Sequence, residues 1–171
     1  MGLFKPNIKK MRAQNDIEGL IKSLKHSSVR VRYDAVTALG ELKNARAIEP
    51  LIEALRDDTG AGWQAVNALS NIGYAAVEPL IRALQDKDKG IVRLAARALG
   101  ELKDDRATEP LVEVLRDEDW NYRYEAVMAL GKIGDTKAID PLIVALKDVT
   151  SAVGKRQRLL EKSGTIGQYN L

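Results

Sequence analysis

Apolar residues recur along this chain in two alternating patterns. One is RAIEPLIEAL at residues 46–55, which returns as AAVEPLIRAL (75–84), RATEPLVEVL (106–115) and KAIDPLIVAL (137–146). Leu51, Ile52 and Leu55 have the i, i+1, i+4 spacing of one helical face, and Leu80, Ile81 and Leu84 repeat it. The other is YDAVTALGEL (33–42), which returns as WQAVNALSNI (63–72), RLAARALGEL (93–102) and YEAVMALGKI (124–133). It reads as a second helix, and nothing in the chain reads as a strand.

The prolines at 50, 79, 110 and 141 stand 29, 31 and 31 residues apart. A period near 30 residues means stacked supersecondary units. Proline has no N–H and is tolerated only near a helix start, so each first helix begins within about a turn before its proline. It ends near Asp57, Asp86, Asp117 or Asp148, where aspartate suits the turn and the N-cap of the next helix. Gly40, Gly100 and Gly131–Gly134 are expected to close the second helices as left-handed C-caps. A helix pair at roughly 7–13 and 16–25 precedes the first full unit, with Gly19 in the proline position. One more second-type helix is expected at about 151–163, more polar than its counterparts, as the last helix of a stack requires. The chain thus reads as one all-α unit over 1–171, with capping helices in 1–26, four repeats in 27–148, and a capping helix and tail in 149–171.

VRYDAVTALGELKNARAIEPLIEAL (31–55) resembles the HEAT-like repeat of the phycobilisome-lyase type, with its V-R-x-x-A-x-x-A-L-G followed by A-x-x-P-L-I-x-A-L. The resemblance covers roughly residues 16–148 and recurs four times. It implies a right-handed α-solenoid, a superhelix of stacked antiparallel helix pairs whose second helices line the inner face. It implies little about function, because such repeats serve scaffolds, lyase subunits and other proteins alike.

Aligning the copies on Ala-Leu-Gly separates fixed columns from free ones. Ala35, Ala65, Ala95 and Ala126 form one fixed column; Ala38, Ala68, Ala98 and Ala129 a second; Leu39, Leu69, Leu99 and Leu130 a third. Small fixed residues allow helices to approach closely, and leucine fills the space between them. Projected at about 100° per residue, Tyr122 falls with the fixed columns, whereas Trp120, Asn121, Tyr124, Glu125 and Met128 fall on the variable side. The same variable columns hold Arg30, Tyr33 and Asp34 in the first unit, Trp63, Gln64 and Asn67 in the second, and Arg93, Leu94 and Arg97 in the third. Tyr33, Trp63, Arg93 and Tyr124 would form a ladder of flat groups about 10 Å apart. These residue types are enriched in binding hot spots. The rings could instead shield neighbouring helices, but the composition of the columns favours a concave partner-binding face.

The middle units depart from the pattern. Arg32 and Arg123, in the V-R position, are expected to bond Asp residues or carbonyls at the turn between helices. Gly62 and Val92 replace them in units two and three, and unit two is one residue short in each connection, beside Gly60-Ala61-Gly62 and at Tyr74. A local irregularity is expected near residues 58–75.

Composition narrows the function classes. The chain is 45% hydrophobic and 30% charged, a folded balance. It is only 5% aromatic, which makes Trp120, Tyr122 and Tyr124 within five positions conspicuous. There is no cysteine, hence no disulfide and no thiolate nucleophile or ligand. The single histidine, His26, cannot alone make a histidine-based metal site and sits where it would serve a helix end. Asp57–Asp58, Asp104–Asp105 and Glu118–Asp119 fall in turns, where capping explains them. No phosphate-binding or dinucleotide glycine motif occurs. Basic charge sits at the ends, in Lys5, Lys9, Lys10 and Arg12 and in Lys155, Arg156, Arg158 and Lys162, not along the variable face.

The expectation is therefore a non-enzymatic scaffold that binds a partner protein or peptide, cytoplasmic and monomeric, with no cofactor, metal or membrane segment. Nucleic-acid binding ranks lower because Asp34 and Glu125 share the face. The resemblance also allows a chromophore-lyase-like or chaperone-like accessory role.

Overall fold

The computed structural model describes residues 6–57 and 59–147, and within them the repeat pattern becomes paired helices. Helix α1 (Ile8–Ala13) and α2 (Ile17–Ser23) lead into α3 (Val29–Leu42), α4 (Ile48–Ala54), α5 (Gly60–Ile72), α6 (Val77–Ala83), α7 (Lys89–Leu102), α8 (Thr108–Val114) and α9 (Trp120–Ile133). A further helix, α10, occupies 139–147. No strand occurs among the described residues. The terminal helix expected at 151–163 lies outside them.

The proline helices start as the sequence dictates. Short 3₁₀ turns at Ala45–Ala47, Tyr74–Ala76, Asp105–Ala107 and Thr136–Ala138 run directly into α4, α6, α8 and α10. Pro50, Pro79 and Pro110 are each the third residue of their α-helix, so their missing N–H deprives no helical carbonyl of a partner. The side chains of Asn44, Asp104 and Asp135 accept from the amides two residues on and hold three of these turns in place.

The aspartates that close the first helices act one step earlier than N-caps. Asp57, Asp86 and Asp117 accept the amides of Thr59, Asp88 and Asp119. Those three residues are themselves the N-caps of α5, α7 and α9, receiving the amides of Ala61, Gly90 and Asn121.

The glycine expectation is corrected at two positions. Helices α3 and α7 run past Gly40 and Gly100, and their left-handed C-caps are Lys43 (φ 51°) and Lys103 (φ 53°). Only Gly134 (φ 73°), after α9, caps as expected. Gly40 and Gly100 serve close packing instead. A Cβ at Gly40 would lie 2.7 Å from Ala68 Cα, and one at Gly100 would lie 2.8 Å from Ala129 Cα. The Ala-Leu-Gly signature therefore marks where one helix backbone touches the next.

Helices α3, α5, α7 and α9 lie side by side in one layer, and each is backed by the first helix of its pair in the other. Ala35, Ala65, Ala95 and Ala126 are wholly buried along the seam, as are Leu39, Leu69 and Leu99. On the outside of the first-helix layer, Glu18–Arg46, Glu49–Arg82 and Glu78–Arg106 pair across successive units. The architecture is an all-α solenoid.

The irregularity expected near 58–75 is present. Ser70 occupies the column of Gly40 and Gly100, and α5 meets α7 less closely than α3 meets α5 or α7 meets α9. Gly62 is required at the entry to α5: a Cβ there would stand 2.0 Å from the Asp57 carbonyl oxygen, because the shortened turn crosses directly over it. At the exit, Gly73 (φ 89°) ends α5 and begins the next 3₁₀ turn at once, doing the work of two residues in the other units.

Candidate partner-binding face

Arg32 and Arg123 fix the turns that set the register of the second-helix layer. Arg32 donates to the carbonyls of His26 and Ser27 and to Asp57 Oδ2 at 2.6 Å. Arg123 donates to the carbonyls of Asp117 and Glu118 at 2.6 and 2.7 Å. Burial would push the Asp57 carboxyl up, but hydrogen bonds from Arg32 and Thr59 outweigh it and hold the group below its usual range. Asp117 is likewise lowered, first by its hydrogen bond from Lys89. His26 belongs to this turn machinery: its Nδ1 accepts the Ser28 amide at 3.0 Å, at the end of the segment that follows α2.

The free face of the same layer carries the variable columns. Trp120 is 63% exposed, Tyr124 52% and Trp63 40%, and Tyr33, Met128, Arg30, Asn67 and Asn121 are exposed with them. Trp120 and Tyr124, one turn apart on α9, meet edge to face with ring centroids 6.3 Å apart. Tyr122, the third ring of that stretch, is half-buried against the core, with Lys89 Nζ 4.6 Å from its centroid.

Trp63 is the hub. The guanidinium carbons of Arg93 and Arg97, one turn apart on α7, lie 5.3 and 4.7 Å from its ring centroid. Both are within the range of a cation–π contact. The looser α5–α7 seam is where these large side chains bridge the two helices. Arg97 also reaches α9, its Nη1 standing 3.7 Å from Glu125 Oε2. Arg30 pairs with Asp34 at 3.0 Å within α3, and Asn67 donates to Gln64.

Two of the expected face residues are not on it. Leu94 is 2% exposed and part of the core, and Glu125 is 6% exposed. Their column, with half-buried Asp34 and Gln64, borders the fixed columns, so the neighbouring helix covers it. Leu94 is an apolar residue at a boundary position and packs inward; Glu125 stays only with Arg97 beside it. The stacking of both arginines on one indole was missed in the sequence, although an i, i+4 arginine pair one repeat from a tryptophan in the same columns is its signal.

Among the described residues no group of three or more acidic or histidine side chains could hold a metal, and no helix is long and apolar enough to cross a membrane. Fold and face together define a helical-repeat solenoid with an aromatic, arginine-bearing surface on its second-helix layer. The profile of HEAT repeats matches residues 17–97 and 77–159, most of the chain, which therefore belongs to the HEAT-repeat family. Over 88 residues it is 35% identical to the uncharacterized phycocyanin operon protein Z of Pseudanabaena tenuis, covering 50% of this chain and 44% of that one. It is also similar to the solved complex of CpcE and CpcF of phycocyanin lyase from a Nostoc species, with a TM-score of 0.55 and 30% identity over 75% of this chain and 57% of that one. The chain thus spans about half the length of these relatives, and the repeats are of the HEAT-like phycobilisome-lyase type.

Proposed function

We propose that this protein is a non-catalytic scaffold that grips a partner protein or peptide on the concave face of its second-helix layer, in a cytoplasmic setting that the absence of cysteine suits. One observation carries the reading: Trp63, Trp120 and Tyr124 stay substantially open to solvent on one face, beside Arg93 and Arg97, while the surrounding alanines and leucines are sealed. Rings on a rigid helical layer add contact area at low ordering cost. The face-lining residues are Arg30, Tyr33, Trp63, Asn67, Arg93, Arg97, Trp120, Asn121, Tyr124 and Met128. Capture from source lysate tests it. The wild type retains a partner that Trp63→Ala and Trp120→Ala lose; equal capture by all three contradicts the reading.

A second reading has its own support, the likeness over three quarters of the chain to a phycocyanin lyase complex. In it the protein is an accessory subunit that assists chromophore attachment, with the same face holding the partner. Bilin titration followed by absorbance separates the two: a shifted band supports the accessory role, and an unchanged spectrum leaves the scaffold.

A further inference from the structure

We infer that the face selects an acidic peptide segment, seated with a carboxylate on Arg93. This rests on the partner-binding reading above and names the chemistry of the partner.

The charges on the face are mostly committed. Arg30 is held by Asp34, and Arg97 leans towards Glu125. Arg93 has no ion pair with any described residue, and its guanidinium is already laid against Trp63, 5.3 Å from the ring centroid. A guanidinium oriented on a ring presents its N–H fork in a fixed direction and loses little freedom when a carboxylate arrives. Glu125 lies off the face, 6% exposed, with Arg97 3.7 Å from its carboxylate. A peptide supplies a single acidic side chain with apolar neighbours, which one free guanidinium among rings can take. A nucleic acid supplies only further anionic oxygens, and these would meet one uncommitted cation, with Asp34 and Glu125 nearby. Trp63 beside Arg93, with Tyr124 and Met128 exposed on α9, suits apolar side chains flanking the acid.

Fluorescence anisotropy on the full chain tests this. The probes are fluorescein-labelled octapeptides of alternating glutamate and leucine, or of alternating lysine and leucine, and a labelled oligothymidylate. The acidic peptide is expected to bind and the basic one not. Arg93→Gln is expected to weaken the acidic peptide by about tenfold or more, as loss of a charge-assisted hydrogen bond does. Arg82→Gln, which removes the same charge from the opposite layer, is expected to leave it within about twofold, as a surface ion pair far from the site does. Acidic and basic peptides binding alike, with Arg93→Gln no different from Arg82→Gln, would overturn the acid preference and leave a general peptide-binding face intact. Oligothymidylate binding that falls steeply with salt would overturn it in favour of a nucleic acid. Silence of all three probes overturns this inference, and lysate capture by the wild type against Trp63→Ala then decides the broader reading alone.

Discussion

At the residue scale, the small positions control the geometry. Gly40 and Gly100 lie where an added methyl would overlap the backbone of the next helix. Alanine is normally the better helix residue by about 1 kcal/mol, so propensity alone predicts that Gly→Ala stabilises. The overlap decides otherwise. Gly40→Ala and Gly100→Ala are each expected to cost about 1–3 kcal/mol as overpacked contacts, read as a fall in thermal midpoint; a rise would show that the helices part freely. The sequence shows glycine recurring after Ala-Leu, with Ser70 in its place in the second unit, but not why, because a C-cap and a close approach both favour glycine near a helix end. The turn aspartates give a pH prediction. The Asp57 carboxyl is lowered in the folded state, so the stability it contributes is complete above the unfolded value near 3.8 and is lost as pH falls through the lower, folded one. Acid unfolding followed by circular dichroism should therefore show a shallower loss of stability below that value in Asp57→Asn than in the wild type, and Arg32→Gln should resemble it. An unchanged acid profile in both would remove the Arg32–Asp57 pair from the account.

At the scale of elements, the units are alike but their seams are not. Helix pairs, the proline entry and the shortened second unit were all legible from periodicity and length, because each leaves a residue-count trace. Leu94 and Glu125 were misplaced for a different reason. A projection of one helix gives its two sides but not how far a neighbour reaches around its flank, and both residues sit at that boundary. The tightness of the seams was also invisible until the backbone approach at Gly40 and Gly100 could be compared with Ser70. Ser70 keeps its Oγ on the Val66 carbonyl, and α5 and α7 remain more open. Native-state hydrogen exchange should find the connection through Gly73, whose 3₁₀ turn lacks a capping side chain, less protected than the Asn44-capped connection after α3. Equal protection would mean that the second unit is as firmly seated as the first.

For the whole molecule, the separation of labour between the two surfaces matters most. The first-helix side carries the ion pairs Glu18–Arg46, Glu49–Arg82 and Glu78–Arg106, all exposed and each worth at most about 1 kcal/mol. Raising salt to molar levels should accordingly move the thermal midpoint only slightly. The second-helix side carries rings that the core does not use. That rings lie open on this side was readable from the columns that vary among the copies; the chemistry they serve is not something a repeat pattern encodes. The central claim is that these rings serve a partner and not the fold. The most direct measurement is the thermal midpoint and the partner capture of one preparation of Trp120→Ala/Tyr124→Ala. The account predicts a midpoint within about 4 °C of the wild type, the scale of a 1 kcal/mol surface change, together with loss of capture. A large fall in midpoint with capture by the remaining folded protein intact would contradict it.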